Sequence, residues 1–371
     1  MPLLTYVQAR PWAKSIEQSV SLRKMPPWFA DQAYGTFANN PSLAAQEIDT
    51  IVAWVRSGAP AGPPRARTAE LPPTRSFGRP DAVVSMPQPF PIPKTGDLEY
   101  QYFIVPSGFT SDRWVQKVEL QPGNRAAVHH AVVYIREPGS TWLRGKPRNT
   151  AFTVPPQASD SVTTSDLLFT YTPGNPRDEF PTGMAKLIPA GSDLVFQMHY
   201  MALSAGGADQ TRVSMYFASR TPAERVLTLQ AGNDHFVIPP GVPDFRVFAW
   251  GTLPNDAKLL SLYPHMHLRG AGFEYRITMP GGKGATLLKV DHYDFNWQLN
   301  YRLAEPLRLP AGTRIDCVAR FDNSRNNARN PDPESAVRFG FQSSEEMMIG
   351  FFDVAVPAGT DKASYFVRER Q

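Results

Sequence analysis

Ala126-Ala127-Val128-His129-His130-Ala131-Val132-Val133-Tyr134 is a short apolar run rich in β-branched residues. Such a run, extended to Ile135, reads as a buried β-strand. Similar runs follow on both sides: Tyr100 to Val105, Ser192 to Met201, Arg212 to Ala218, Leu259 to Leu262, Phe273 to Thr278 and Met347 to Val356. Turns rich in Pro and Gly separate them. The chain carries 37 prolines and 26 glycines in 371 residues. Proline is thus about twice its usual level of about 5%. Both residues are poor inside helices and suit turns and sheet edges. Many short strands with this punctuation predict a mainly β protein of the sandwich or jelly-roll kind. The stretch from 81 onward is long for one sandwich, so two tandem jelly-roll sandwiches are expected, 81–220 and 221–371, with the boundary near Arg220-Thr221-Pro222.

Residues 1–60 read differently. Pro11 suits the first turn of a helix running to about Lys24, which Pro26-Pro27 stops. A second helix is expected from the N-cap Ser42 to Ser57, closed by Gly58. Its apolar Ile48, Ile51, Val52 and Val55 recur at helical spacing. Two helices make too small a core to stand alone. Pro60, Gly62, Pro63, Pro64, Pro72 and Pro73 mark a linker over 61–80.

Composition excludes several classes. Apolar residues make up 42% and charged residues 19%, which rules out a disordered chain. The single cysteine, Cys317, forbids an internal disulfide framework and a multi-thiolate zinc site. The net charge is +4 with scattered basic residues, so no nucleic-acid partner is expected. No apolar run approaches the ~20 residues of a membrane span. Met1 to Tyr6 lacks the charged and apolar regions of a signal peptide.

Histidine is scarce, with seven in all. His265 and His267 stand two apart, so on a strand they face the same way and can share one metal ion. The bland alternative is two surface histidines. His129 and His130 are adjacent and would face opposite sides, so one metal requires a local distortion or a strand end. Otherwise one is a core residue and the other a surface residue. His199, in Phe196-Gln197-Met198-His199-Tyr200, reads alone as a satisfied buried histidine. His235 and His292 have no neighbours in sequence to act with. No Asp or Glu lies within two residues of the paired histidines or His199. A two-histidine, one-carboxylate iron site is therefore unsupported, whereas three-histidine zinc remains open. Imidazole combined with methionine thioether favours copper, Cu(I) above all.

Taken in order, Val128-His129-His130, Gln197-Met198-His199-Tyr200, His265-Met266-His267 and Ser343-Ser344-Glu345-Glu346-Met347 resemble the motifs of the copper type II, ascorbate-dependent monooxygenases. Familiar members are peptidylglycine α-hydroxylating and dopamine β-monooxygenases. Ile238-Pro239-Pro240-Gly241 and Phe273-Glu274-Tyr275-Arg276 also fit, and the similarity spans residues 81 to 356. The resemblance implies two jelly-roll domains with one mononuclear copper each. His129, His130 and His199 would hold the electron-supplying copper. His265, His267 and Met347 would hold the copper that activates dioxygen, with Met348 the neighbouring candidate. The implied reaction is hydroxylation of a C–H bond of a small organic substrate by O₂. An ascorbate-like reductant or a cytochrome supplies electrons, and the first site passes one to the second across a solvent-filled gap. The implied location is periplasmic or extracytoplasmic.

The departures from that pattern concern the substrate. Tyr263 stands where the peptidylglycine enzymes place an arginine for the substrate carboxylate. Ile349 and Phe351 stand where those enzymes have asparagine and tyrosine. The implied substrate is accordingly different and less polar. Separately, Ala9-Arg10-Pro11-Trp12-Ala13, Lys24-Met25-Pro26-Pro27-Trp28 and Val52-Ala53-Trp54-Val55 are similar to the C-terminal part of a c-type cytochrome module. Met25 would be the axial haem ligand there, or else a packing residue before the Pro-Pro stop. Cys-x-x-Cys-His is absent, so haem c is expected only with an attachment motif upstream. Two other readings compete with an enzyme. One is a non-catalytic copper-binding or electron-transfer protein on the same scaffold. The other is a β-sandwich binding module with incidental histidines.

Overall fold

The computed structural model describes residue 3 and residues 5–63, 77–96, 98–154 and 166–365. Most of the expected linker, residues 64–76, lies outside the described residues. The chain forms two compact units. One comprises Met1–Phe29 and Asn39–Arg79, the other Ala30–Ala38 and Pro80–Gln371.

The smaller unit is helical: α1 (Tyr6–Ala9), a 3₁₀ turn (Arg10–Trp12), α2 (Ala13–Ser21) and α3 (Ala45–Arg56). Pro11 therefore sits at the start of a 3₁₀ turn that runs directly into α2. Helix α2 stops short of Lys24 because Arg23 turns to φ 52° and the Lys24 N–H returns to Ser19 O at 2.9 Å. Helix α3 starts later than Ser42. The Ser42 N–H is held by Asn40 Oδ1 at 2.9 Å, while Glu47 reaches back to the Ala44 N–H at 2.8 Å. Gly58, at φ 91°, ends α3 as expected. Arg56 pairs with Glu17 of α2 at 3.3 Å.

Residues 30–38, expected within the helical segment, belong instead to the β unit. Ala30 bridges to Val290, Phe37 bridges to Leu303, and the Phe37 ring meets Tyr301 edge-on at 5.6 Å.

Among the described residues, the larger unit holds 21 strands. The first are β1 (Ala82–Ser85), β2 (Phe90–Ile92), β3 (Gln101–Pro106), β4 (Arg113–Gln121) and β5 (Val128–Arg136). Then come β6 (Asp166–Tyr171), β7 (Arg177–Glu179), β8 (Met184–Ile188), β9 (Asp193–Tyr200), β10 (Gly207–Asp209) and β11 (Arg212–Phe217). Later residues form β12 (Glu224–Asn233), β13 (Val237–Ile238), β14 (Phe245–Thr252), β15 (Ala257–His265) and β16 (Gly270–Thr278). The last are β17 (Gly284–Val290), β18 (Tyr301–Leu309), β19 (Arg314–Phe321), β20 (Val337–Arg338) and β21 (Met348–Pro357).

The architecture is mainly β, with jelly-roll-type sandwiches preceded by short helices. Sheet β3-β9-β5-β6 packs on the strands β1-β11-β4-β8. Val118, Val133, Phe196 and Met215 fill the core between them. Sheet β14-β19-β16-β17 accompanies β12-β21-β15-β18 in the later half. There Gly350 of β21 leaves room for Cys317 Sγ and the Tyr275 ring, which a Cβ would strike. The sheet edges meet. Parallel pairing of β8 with β12 (Glu224 with Met184, Arg225 with Ala185) makes one nine-stranded sheet across both halves. Both histidine sets sit at strand ends in this unit.

Candidate metal centre

The first histidine set depends on a bulge. β5 and β9 run antiparallel, with Val128 opposite Tyr200 and His130 opposite His199. The register shifts between Val128 and His130, so His129 is an extra residue in β5. A bulge suspends strict alternation and lets neighbouring side chains converge. The distortion required for adjacent histidines to share a target is therefore present. His130 Nδ1 lies 3.3 Å from both His129 Nδ1 and His199 Nδ1. One ligand atom from each of the three histidines falls within 4.8 Å of the others. The 3.3 Å spacings suit imidazole nitrogens about 2.0–2.1 Å from one ion. The Tyr100 ring flanks the set, 4.9 Å from His199 and 5.5 Å from His130.

These imidazoles are neutral. Burial, then repulsion from His199 and His129, holds His130 well below the usual range. Burial, then His129 and His265, lowers His199 to about 3. Burial also lowers His129. A neutral imidazole presents a lone pair to a metal, which a protonated ring lacks.

The second set is assembled by a buried carboxylate. Strand β15 ends at His265, so His267 lies beyond it and strand alternation does not align the pair. Their rings nevertheless meet edge to face, with centroids 5.2 Å apart. The buried Glu346 carboxylate accepts the His267 N–H at 2.9 Å, the Arg269 N–H at 2.6 Å and the Met347 N–H at 3.3 Å. It thereby ties the His-x-His loop to Met347, the residue just before β21. Burial pushes its pKa up to about 8, against the lowering effect of those donors. The buried Arg269 side chain completes the clip through Asn323 Oδ1 and Ser344 O, each at 2.7 Å.

Hydrogen bonds also choose the free nitrogens. His265 Nδ1 meets Gln298 Oε1 at 2.6 Å, and His267 Nδ1 meets Glu345 O at 3.3 Å. Each contact fixes the Nδ1–H tautomer and leaves Nε2 as the lone-pair atom. His267 Nε2 is buried without a hydrogen bond among the described residues. Burial lowers His265 to about 4, with the Gln298 hydrogen bond opposing, and holds His267 well below its usual range. Met347, also buried, lines the same cavity as His265. The neighbouring Met348 lies within β21 opposite Asn233 and also reaches that cavity.

The two sets are adjacent. The His130 and His265 rings lie 6.3 Å apart, and Phe295 stacks on His129 at 4.6 Å while meeting His267 at 6.2 Å. Both sets border a cavity of about 220 Å³ that Tyr263, Ile349 and Phe351 also line.

The remaining candidates lie elsewhere. His235 is exposed and pairs with Asp234 at 2.6 Å, and His292 is also exposed. Met25 is 44% exposed. Haem c does not fit the residues present. Cys317 is buried in β19, and the described residues hold no second thiol for attachment. Sequence reasoning gave no role to Glu346, although it lies in a quoted motif, and it missed Gln298 and Tyr100 entirely. A carboxylate beside the methionine was the only available signal.

No protein-family model and no curated protein matches this sequence. Among solved structures it is similar to the infectious bursal disease virus VP2 subviral particle, with TM-score 0.22 and 9% identity over 76% of this chain and 73% of that one. It is also similar to a peptide-N(4)-(N-acetyl-β-D-glucosaminyl) asparagine amidase, with TM-score 0.29 and 12% identity over 75% and 97%. A third is the STIV MCP, with TM-score 0.25 and 10% identity over 67% and 99%. None of these likenesses bears on the site.

Proposed function

We propose that this chain is a copper-dependent monooxygenase that hydroxylates a C–H bond of an organic substrate with O₂ and an external one-electron reductant. One observation carries the reading: two adjacent sets of neutral imidazoles, with a methionine beside the second, meet at one cavity that His130, His265 and Met347 line. His129, His130 and His199 would hold one copper through Nδ1. His265 and His267 would hold the other through Nε2, with the Met347 thioether. Thioether softness favours Cu(I) at the second set, and three imidazoles suit both oxidation states. Copper bound there would supply one-electron transfer and activation of O₂.

The chain's own residues orient these groups. Gln298 keeps the His265 Nδ1 proton and turns Nε2 outward. Glu346 fixes the loop that presents His267 and starts the strand after Met347. Apolar walls keep bulk water from the reacting C–H bond. The donor would be an ascorbate-like reductant or a cytochrome, consistent with a periplasmic or extracytoplasmic setting.

The test is copper stoichiometry with electron paramagnetic resonance, followed by reductant-driven O₂ uptake with analysis of hydroxylated product. Two type II coppers and product formation are expected. No copper bound under either reducing or oxidising conditions overturns the proposal. Two coppers without any product select a non-catalytic copper or electron-transfer protein.

A further inference from the structure

Tyr100 and Tyr263 stand on the cavity wall beside the two histidine sets. Their rings are packed. Tyr100 flanks His130 and His199, and Tyr263 stacks on Phe351 at 6.0 Å. Both residues are more than nine-tenths buried, at 8% and 9% exposure. Yet neither hydroxyl has a hydrogen-bond partner among the described residues. The neighbouring polar groups are already paired: the Gln197 side chain engages the hydroxyls of both Tyr102 and Tyr134. Both side chains line the cavity, and a hydroxyl with no protein partner is free to bond a ligand's polar atom there.

Charge narrows the ligand further. Among the described residues, no lysine or arginine lines the cavity. Among the described residues Asp234 is the only lining carboxylate, and its Oδ1 is engaged by His235. An ion entering this space loses hydration without gaining a free counter-charge. Size sets the scale. At about 220 Å³ the cavity exceeds the ~150 Å³ apolar cavity that takes benzene. There is space for one aromatic ring with a short substituent.

We infer that the cavity binds an uncharged, largely apolar molecule of single-ring size, whose polar group the hydroxyls of Tyr100 and Tyr263 are there to bond. The inference rests on the proposed function only in calling this molecule the substrate. The binding itself needs no metal.

The experiment therefore uses the metal-free full chain. Binding of 2-phenylethanol, phenylacetate and 2-phenylethylamine is measured by calorimetry and ligand-observed NMR. These probes share a ring and a two-carbon reach but differ in charge. The neutral alcohol should bind at least about ten-fold more tightly than either ion. Tyr263→Phe should weaken the alcohol by about three- to ten-fold and leave ethylbenzene unchanged. Tyr100→Phe repeats the test from the other hydroxyl should the first variant fail to fold. Equal or tighter binding of either ion, or no binding of any probe, overturns the inference. So does an equal loss for alcohol and ethylbenzene in both variants. Loss of copper or turnover elsewhere leaves these outcomes untouched, so the two proposals fail separately.

Discussion

His129 and Glu346 solve the same problem by different means. Each brings side chains that regular geometry would separate onto one target. The six ligand candidates were legible because five of the seven histidines fall in motifs and a methionine follows the acidic pair. Their supports were not. Gln298 is 33 residues from His265, and Glu346 is 79 residues from His267. No local pattern connects such partners. Met347→Ala should lose the second copper and all O₂ chemistry while the three-imidazole copper remains, leaving about one copper per chain by metal analysis. Retention of both coppers would remove Met347 from the ligand set. Glu346→Ala leaves three buried N–H donors unpaired and should cost about 3 kcal/mol or more in urea unfolding. Glu346→Gln keeps an acceptor oxygen and should cost less. Equal losses in the two variants would mean that both carboxyl oxygens are needed as acceptors.

At the scale of elements, the seven strands read from sequence are all present, because runs of β-branched and aromatic residues between turns have few alternatives. The β5 bulge had no such mark, since neither Gly nor Pro lies at His129. Strand β18 shows a converse case. It carries Pro306, which argues against a central strand, and it lies at the edge of its sheet, where a missing donor is tolerated. Helix ends were misplaced where side chains outbid the expected cap, as Glu47 does over Ser42. Gly350 makes the packing of β21 against β16 and β19 specific. Gly350→Ala drives a methyl group into Cys317 Sγ and Tyr275, and should destabilise by about 1–3 kcal/mol. Adding Cys317→Ala should recover part of that loss in the double variant, measured by thermal or urea unfolding. Purely additive losses would place the strain elsewhere.

Across the larger unit, the halves are joined by buried polar contacts as well as by the β8–β12 ladder. Arg225 pairs with Asp166 at 3.1 Å, and the Thr172 hydroxyl donates to Gln298 O at 2.7 Å. Asp178 of β7 accepts from Arg302 Nη1 at 3.4 Å and Asn300 Nδ2 at 3.3 Å. Partners 59 to 126 residues apart left no trace in local sequence. Asp178 offers a way to observe this junction. Burial, only partly offset by Arg302, raises its pKa from 3.8 to about 6. The folded state therefore holds a proton that the unfolded chain releases between these values. The stability gained from that proton is full below about pH 4 and is lost as pH rises through about 6. Asp178→Asn keeps a neutral group of the same shape and does not titrate. The stability of the native chain relative to this variant should therefore fall with rising pH across that window. The slope is at most about 1.4 kcal/mol per pH unit. Urea unfolding of both proteins at several pH values between 4 and 7 reads this difference, with the other titrating groups cancelling between them. A flat difference would show that Asp178 is already ionised in the folded junction, with Arg302 and Asn300 outweighing its burial.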